Sequence, residues 1–315
     1  MKRGGRLFGL ILSLVLIASL LVPALAYAAG PDNPGKPDKQ KPVPATNIEL
    51  VKKVSVRKPG PPIVPPGKDK PKKKEGAATG ILGSPVFGSQ YAVVVGISDY
   101  PGSANDLNYS DDDAVEMASA LTQVYGFANV TLLTDLNATR RAIMTAIDNI
   151  PVDAGEVVFF FSGHGMNGVA EDGDKERTDE AIVAHDGTDI VPIWDGELRA
   201  AFSKFDTPRI VCVFDTCLAG GMMKDLEAPG RVIAMSTTER GYAYESAAWQ
   251  NGEFSYYFVD LGMTQGKANT HDYDEDGKLE EPEQVAVEEA FDYAKTNCSS
   301  DKPTIGDQFL DDLLL

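Results

Sequence analysis

Two side chains that could form a nucleophile and its acid/base partner each stand at the end of an apolar run. His164 lies in Ser162-Gly163-His164-Gly165, directly after Val157, Val158, Phe159, Phe160 and Phe161. Cys217 closes Phe214-Asp215-Thr216-Cys217, directly after Ile210, Val211, Cys212 and Val213. Short, wholly apolar runs of this kind read as strands buried on both faces, as in a parallel sheet. Residues just past the carboxyl ends of such strands are where open α/β sheets bind ligands. A thiol and an imidazole meeting there supply a nucleophile and a general acid for a leaving amine. The Gly165 N–H, with the Cys217 N–H, is a candidate pair of donors for an oxyanion, because a glycine lets the main chain come close to a substrate. Taken singly, a core histidine and a buried structural cysteine explain these residues equally well. Their matching positions past two strands favour the dyad.

A second chemistry is written in Asp272-Tyr273-Asp274-Glu275-Asp276-Gly277-Lys278-Leu279-Glu280-Glu281-Pro282-Glu283. The spacing fits a twelve-residue calcium loop, with Asp272, Asp274 and Asp276 as oxygen donors and Gly277 at the sharp turn. Lys278 offers its carbonyl, Glu280 acts through water, and Glu283 binds bidentately. An acidic surface loop is the plainer alternative. No second copy exists and no clear helix enters the loop, so we expect one structural Ca2+ that pins the C-terminal helix to the sheet. His185 and His271 lack the spacing of a zinc site.

The elements that must position these residues alternate in type. Strands are expected at Tyr91–Ile97, Val130–Leu133, before His164, before Cys217 and at Arg231–Met235. Helices are expected at Ser110–Val124, Asn137–Ile150 with Asn137 as N-cap, Asp195–Phe205, Gly252–Met263 and Glu283–Lys295. Shorter apolar pieces fall at Ile182-Val183 and Ile190–Ile193. This alternation predicts an α/β domain: a mostly parallel sheet with helices on both faces.

The 315 residues divide unevenly. Lys2, Arg3 and Arg6 precede an apolar stretch from Leu7 to Val22 and the small-residue pattern Ala26-Tyr27-Ala28, which reads as a signal peptide over 1–28. We therefore expect a secreted protein, with no membrane attachment in the mature form unless the signal stays uncleaved as an anchor. Residues 29–79 are rich in Pro, Lys and Gly and read as an extended linker or propeptide, leaving 80–315 as the folded domain. From residue 76 onward 14 basic residues face 42 acidic ones, a net charge of about −28. Such a surface argues against nucleic acid and suits cationic ligands or calcium. Of the three cysteines, Cys212 reads as a buried apolar residue and Cys298 has no partner that the sequence assigns; a Cys212–Cys298 disulfide stays open.

The chain resembles the caspase-like cysteine peptidases, the metacaspase-like microbial branch in particular. The resemblance rests on Tyr91–Tyr100 as the opening strand and turn, Ser162–Gly165 as the histidine motif, Asp215–Gly220 as the cysteine motif and Gly252–Tyr257 as a late helix segment. It covers about residues 88–315. It departs where metacaspases carry His-Ser after the cysteine and this chain has Leu218-Ala219. It departs from true caspases where they carry Gln-Ala and this chain has Asp215-Thr216. The resemblance implies a caspase-like fold and a Cys217/His164 endopeptidase acting on proteins or peptides. It places Asp215 in the S1 pocket with a second acid at the start of the first helix, at Asp113, and so implies cleavage after Arg or Lys. It also implies calcium activation through acids near Asp179-Glu180. Lys72-Lys73-Lys74 then becomes a site of zymogen self-processing. Two other expectations keep the fold: a catalytically silent calcium-binding surface module, and a transpeptidase using the same dyad.

Overall fold

A computed structural model describes residues 45–56, 76–84, 88–171, 178–279 and 285–315. The signal peptide, Lys72–Lys74, Glu280 and Glu283 lie outside the described residues.

A six-stranded sheet forms the centre. Its strands are β3 (Gln90–Gly96), β4 (Asn129–Thr134), β5 (Glu156–Ser162), β9 (Ile210–Asp215), β10 (Arg231–Met235) and β13 (Thr304–Asp307), in the order β13-β10-β9-β5-β3-β4. All neighbours run parallel except β13, which pairs antiparallel with β10. The alternation of strand residues decides the layers. Val93, Val95, Phe159, Phe161, Cys212 and Phe214 face one core; Ala92, Val94, Val158, Phe160, Val211 and Val213 face the other. Helices α2 (Arg140–Asp148) and α3 (Asp195–Phe202) cover the first face through Ile143, Ile147, Leu198 and Phe202. Helix α1 (Ser110–Gln123) covers the second, with α6 (Val287–Asn297) and a helix that begins as α5 (Glu253–Ser255) and continues in π geometry over Tyr256–Thr264. The expected parallel sheet with helices on both faces is therefore present.

Several boundaries differ from expectation, each for a local reason. Thr139, not Asn137, caps α2: its side chain accepts from the Ala142 N–H, and Asp135–Asn137 forms a separate short turn. The last helix starts at Val287, four residues later than expected, where Glu289 reaches back to the Ala286 N–H. The pieces around Ile182 and Ile190 belong to a second sheet that the sequence reading did not foresee. It is antiparallel, in the order β1-β6-β7-β8, from β1 (Ala45–Val51), β6 (Gly165–Ala170), β7 (Asp179–His185) and β8 (Ile190–Trp194). Its first strand comes from the segment expected to be an extended linker. The next residues of that segment, β2 (Val54–Ser55), run parallel to β11 (Tyr244–Ser246), which pairs antiparallel with β12 (Asn251–Gly252). Among the described residues no helix is long and apolar enough to cross a membrane.

Candidate active site

Strands β5 and β9 are direct parallel neighbours, with Ser162 opposite Asp215. His164 and Cys217 therefore leave the same edge of the sheet, two residues beyond paired positions. The chain runs from β3 outward to β4, then returns to the other side of β3 for β5 and β9. The dyad lies beside that reversal, where α/β sheets open a crevice at their carboxyl ends.

The histidine is fixed on three sides. Its Nε2 lies 2.7 Å from the Asn105 carbonyl oxygen, and its Nδ1 accepts the Lys53 N–H at 3.1 Å. This pair of contacts sets the tautomer: Nε2 carries the proton and Nδ1 is the basic atom. The Tyr100 ring stacks on the imidazole at 4.9 Å, and the Tyr100 hydroxyl accepts the His164 N–H while donating to the Val183 carbonyl. Burial lowers the His164 pKa to about 4, against the raising effect of the Asn105 carbonyl. The ring is therefore neutral near pH 7.

Cys217 is also buried. Its thiol donates to the Lys52 carbonyl at 3.3 Å and its sulfur accepts the Ala243 N–H at 3.2 Å. Burial raises its pKa to about 11, although the Ala243 N–H works the other way. Leu218 follows in the left-handed region, with φ of 64°, an unusual conformation for a branched residue that turns the chain sharply after the cysteine. Gly165 is the point where the two loops touch. A Cβ there would meet the Cys217 carbonyl oxygen at 2.0 Å, so only glycine permits the approach.

Beside the dyad lies a small pocket lined by acids. Asp113 and Asp215 have no exposed side-chain surface, and both face the ammonium of Lys53, Asp215 at 3.0 Å and Asp113 at 3.4 Å. The Ser162 hydroxyl accepts from Lys53 Nζ at 3.0 Å and donates to Asp113 at 2.6 Å. Asp113 also accepts the Gly252 N–H, and Asp215 accepts both the N–H and the hydroxyl of Ser255. Gly252 walls the pocket: a Cβ at this position would sit 2.2 Å from Asp215 and 2.7 Å from Lys53 Nζ. Burial alone would pull the Lys53 ammonium down, but Asp215 and Asp113 outweigh it and hold it above the ordinary lysine value. Burial raises Asp113 to about 6, with Lys53 opposing the shift. Asp112, its neighbour in the first turn of the helix, is exposed.

Other sequence candidates fall elsewhere. Asp272, Asp274 and Asp276 bring one carboxylate oxygen each within 4.8 Å of one another, and Gly277 turns the loop with φ of 88°. Their carboxylate oxygens accept the main-chain N–H groups of Asp276, Gly277 and Lys278. Glu283 lies outside the described residues. Asp179 accepts the Ala170 N–H and Glu180 is buried, so both help build the second sheet. His185 is wholly buried, with Nε2 against the Asp135 carbonyl. His271 is half-buried and pairs with Glu289. All three cysteines are free, so Cys212 and Cys298 are not bridged. A further cluster of Glu253, Cys298 and Asp301 is accounted for by main-chain donors: Glu253 accepts from Ser299, Ser300 and Asp301, and Asp301 from Tyr244 and Phe254.

Sequence reasoning missed Lys52, Lys53 and Asn105 as site residues. Tyr100, Ser162, Gly252 and Ser255 stood inside the motifs quoted above, so they were marked by position but not by role. Nothing marked Lys53, which stands in a stretch read as linker.

Residues 89–286 match a family described as Caspase domain. Similar proteins include Metacaspase-8 of Arabidopsis thaliana, 28% identical over 151 residues, which are 43% of this chain and 38% of that protein. Metacaspase-1 of Scheffersomyces stipitis is 29% identical over 147 residues, 42% of this chain and 36% of its own length. Metacaspase-1 of Kluyveromyces lactis is 30% identical over 150 residues, 43% and 34% respectively. The chain thus spans little more than a third of each of these relatives.

Proposed function

The chain belongs to the caspase-domain family of cysteine peptidases, and from that premise we propose that it is a secreted, calcium-binding cysteine endopeptidase that cleaves after Arg or Lys. The observation that carries the specificity is the pocket beside Cys217, where two buried carboxylates and a serine hydroxyl already surround a lysine ammonium. A carboxylate pair in a dry pocket favours a cation and rejects an acidic P1 side chain, which would set three negative charges together.

In the reaction, His164 Nδ1 takes the Cys217 thiol proton and the thiolate attacks the scissile carbonyl carbon. The tetrahedral oxyanion is stabilised by main-chain donors, for which Gly165 and Cys217 are the candidates. Collapse of the adduct breaks the C–N bond as His164 returns the proton to the leaving amine. Water then attacks the thioester, with Nδ1 taking its proton, and releases the acid and the free thiol. The Asn105 carbonyl, by holding Nε2–H, keeps Nδ1 facing the reacting groups throughout.

Asp272, Asp274, Asp276 and the Lys278 carbonyl would hold Ca2+, with Glu283 as the bidentate closing ligand. The ion would neutralise the clustered acids and fasten the loop that leads into α6. The basic run Lys72–Lys74 is the proposed maturation site.

Hydrolysis of fluorogenic peptides with Arg, Lys or Asp at P1, with calcium and with chelator, tests the reading beside Cys217→Ala. We expect Arg and Lys substrates to be cleaved and Cys217→Ala to be silent. Turnover of Asp substrates without Arg turnover would overturn it. N-terminal sequencing of the active form checks maturation, which we expect to begin between residues 68 and 80.

A further inference from the structure

The segment 45–56 does not pass near the cleft; it fills it. Strand β1 adds to the edge of β6 in antiparallel register, with Val51 opposite Gly165 and Leu50 opposite Met166. Val51 packs on Cys217, Leu218 and Ala243. The chain then crosses the dyad at Lys52 and Lys53 and leaves along β11, where the Val54 N–H donates to Ala243 and the Val56 N–H to Glu245. The Ser55 hydroxyl closes the far end against Glu245 at 2.6 Å. Strand addition of this kind supplies main-chain affinity, with a pocket for one anchoring side chain. Here the anchor is Lys53.

The register at the dyad is informative. One peptide bond, Lys52–Lys53, lies over both reactive groups: the thiol donates to the Lys52 carbonyl and the Lys53 N–H donates to His164 Nδ1. Proton transfer from Cys217 to Nδ1 needs those two atoms to face each other, and the strap occupies the hydrogen-bonding capacity of both. The lone pair needed for the base is engaged by an amide that has no reason to leave. The pocket side chain is also on the wrong side of that bond. In a peptide cut after a basic residue, the pocket side chain belongs to the acyl half. Here it belongs to Lys53, on the amine half, while the Lys52 side chain turns away to the Ala104 carbonyl.

Resting on the peptidase reading above, we propose that residues 45–56 are an intramolecular inhibitor of this chain's own cleft, anchored by Lys53 in the acidic pocket and set in a register that blocks the dyad without being cut. The partner that this peptide-binding surface fits is thus a segment of the same protein, and a substrate must displace it. The fraction of molecules with the strap out multiplies the apparent affinity for any substrate.

The test uses the full chain with two independent variants. Lys53→Met removes the anchor charge at similar length. Val54→Pro leaves Lys53 in place but deletes the N–H that bonds Ala243. The readout is the rate of iodoacetamide alkylation at Cys217, followed by peptide mass spectrometry, with folding checked by circular dichroism. Hydrolysis of an Arg-P1 peptide is measured in parallel. We expect alkylation about tenfold faster than wild type, and a rise of threefold or more in either folded variant supports the strap. If alkylation accelerates but no peptide is cleaved, the strap stands and the peptidase reading falls. Alkylation within threefold of wild type in both folded variants overturns the strap, whatever the hydrolysis shows. Cleavage at Lys52–Lys53 that disappears in Cys217→Ala would make the segment a substrate and also overturn it.

Discussion

Replacing Asp215 by Asn separates the charge of the pocket from its shape. The Asn side chain is nearly isosteric and can still present an oxygen to the N–H and hydroxyl of Ser255, the two donors Asp215 now serves at 3.1 and 2.7 Å. It then turns an amide NH2 toward the position of the ammonium. At the 3.0 Å separation seen for Lys53, one unit charge pair at an effective dielectric of about 20 attracts by roughly 5.5 kcal/mol. Part of that offsets the dehydration of the incoming cation, and removal of one member of a buried pair costs about 3–5 kcal/mol. The lower figure corresponds to about 10²-fold in an equilibrium or a specificity constant. The assay is kcat/KM for two peptides that differ only at P1, lysine against its apolar analogue norleucine. Their ratio is the useful quantity, because the fraction of molecules with an open cleft multiplies both values and cancels. A strap loosened by the substitution cancels in the same way. We expect the lysine/norleucine ratio to fall about 10²-fold in Asp215→Asn. Asp113, at 3.4 Å and further held by Ser162 and Gly252, should give a smaller fall of about tenfold as Asn. A ratio within threefold of wild type in Asp215→Asn would refute the claim that this carboxylate selects the cation.

Gly165→Ala would drive a methyl into the Cys217 carbonyl at 2.0 Å, a main-chain atom that cannot swing aside; we expect at least a 10²-fold loss of kcat/KM with the circular dichroism spectrum retained. Asp195 is buried, and burial with Asp225 and Glu180 nearby raises its pKa to about 9. Because the folded value exceeds the unfolded one, the native state binds more protons between about pH 4 and pH 9, so this group's stabilisation is full in acid and is lost as pH rises through 9. The melting temperature should therefore fall from pH 6 to pH 9, and Asp195→Asn should flatten the slope; an unchanged slope in the variant would count against the assignment. His164 works in the opposite sense: its folded value of about 4 lies below the unfolded 6.5, so its stabilisation is present above pH 6.5 and is lost as pH falls toward 4. Calcium at one hundred times its dissociation constant should add about 2.7 kcal/mol to stability, and Glu283→Gln should remove most of that gain in a thermal melt; equal gains in both proteins would move the ion elsewhere.

The sheet was legible because its strands had to be apolar on both faces. Phe159, Phe160 and Phe161 cannot be anything but buried, and a run so short between polar turns leaves a central strand as the economical reading. His164 and Cys217 followed from strand ends, whereas Asp113 came only through the family resemblance. The second sheet was harder, since β6 spans Gly165–Ala170 with two glycines and little apolar period, and it is defined by its partners rather than by its own pattern.

The strap was invisible for a deeper reason. In β1 most side chains from Thr46 to Glu49 face solvent, so no burial pattern could betray a strand. What holds it is main-chain pairing with β6 and β11 and a single lysine whose neighbours are some 60 and 162 residues away in sequence. Neither source of affinity leaves a local signature. A lysine in a Pro/Lys-rich stretch reads as solvated until the two acids that receive it are placed, and those acids are placed by the helix after β3 and the end of β9. The same arrangement explains why a basic segment should precede so acidic a domain. Beyond the general attraction that salt would screen, one residue of that segment carries its charge into a dry site where screening does not reach. A cut at Lys72–Lys74 would leave this contact intact but turn the strap into a separate peptide. It would then be held by its own affinity alone, without the high effective concentration that tethering confers.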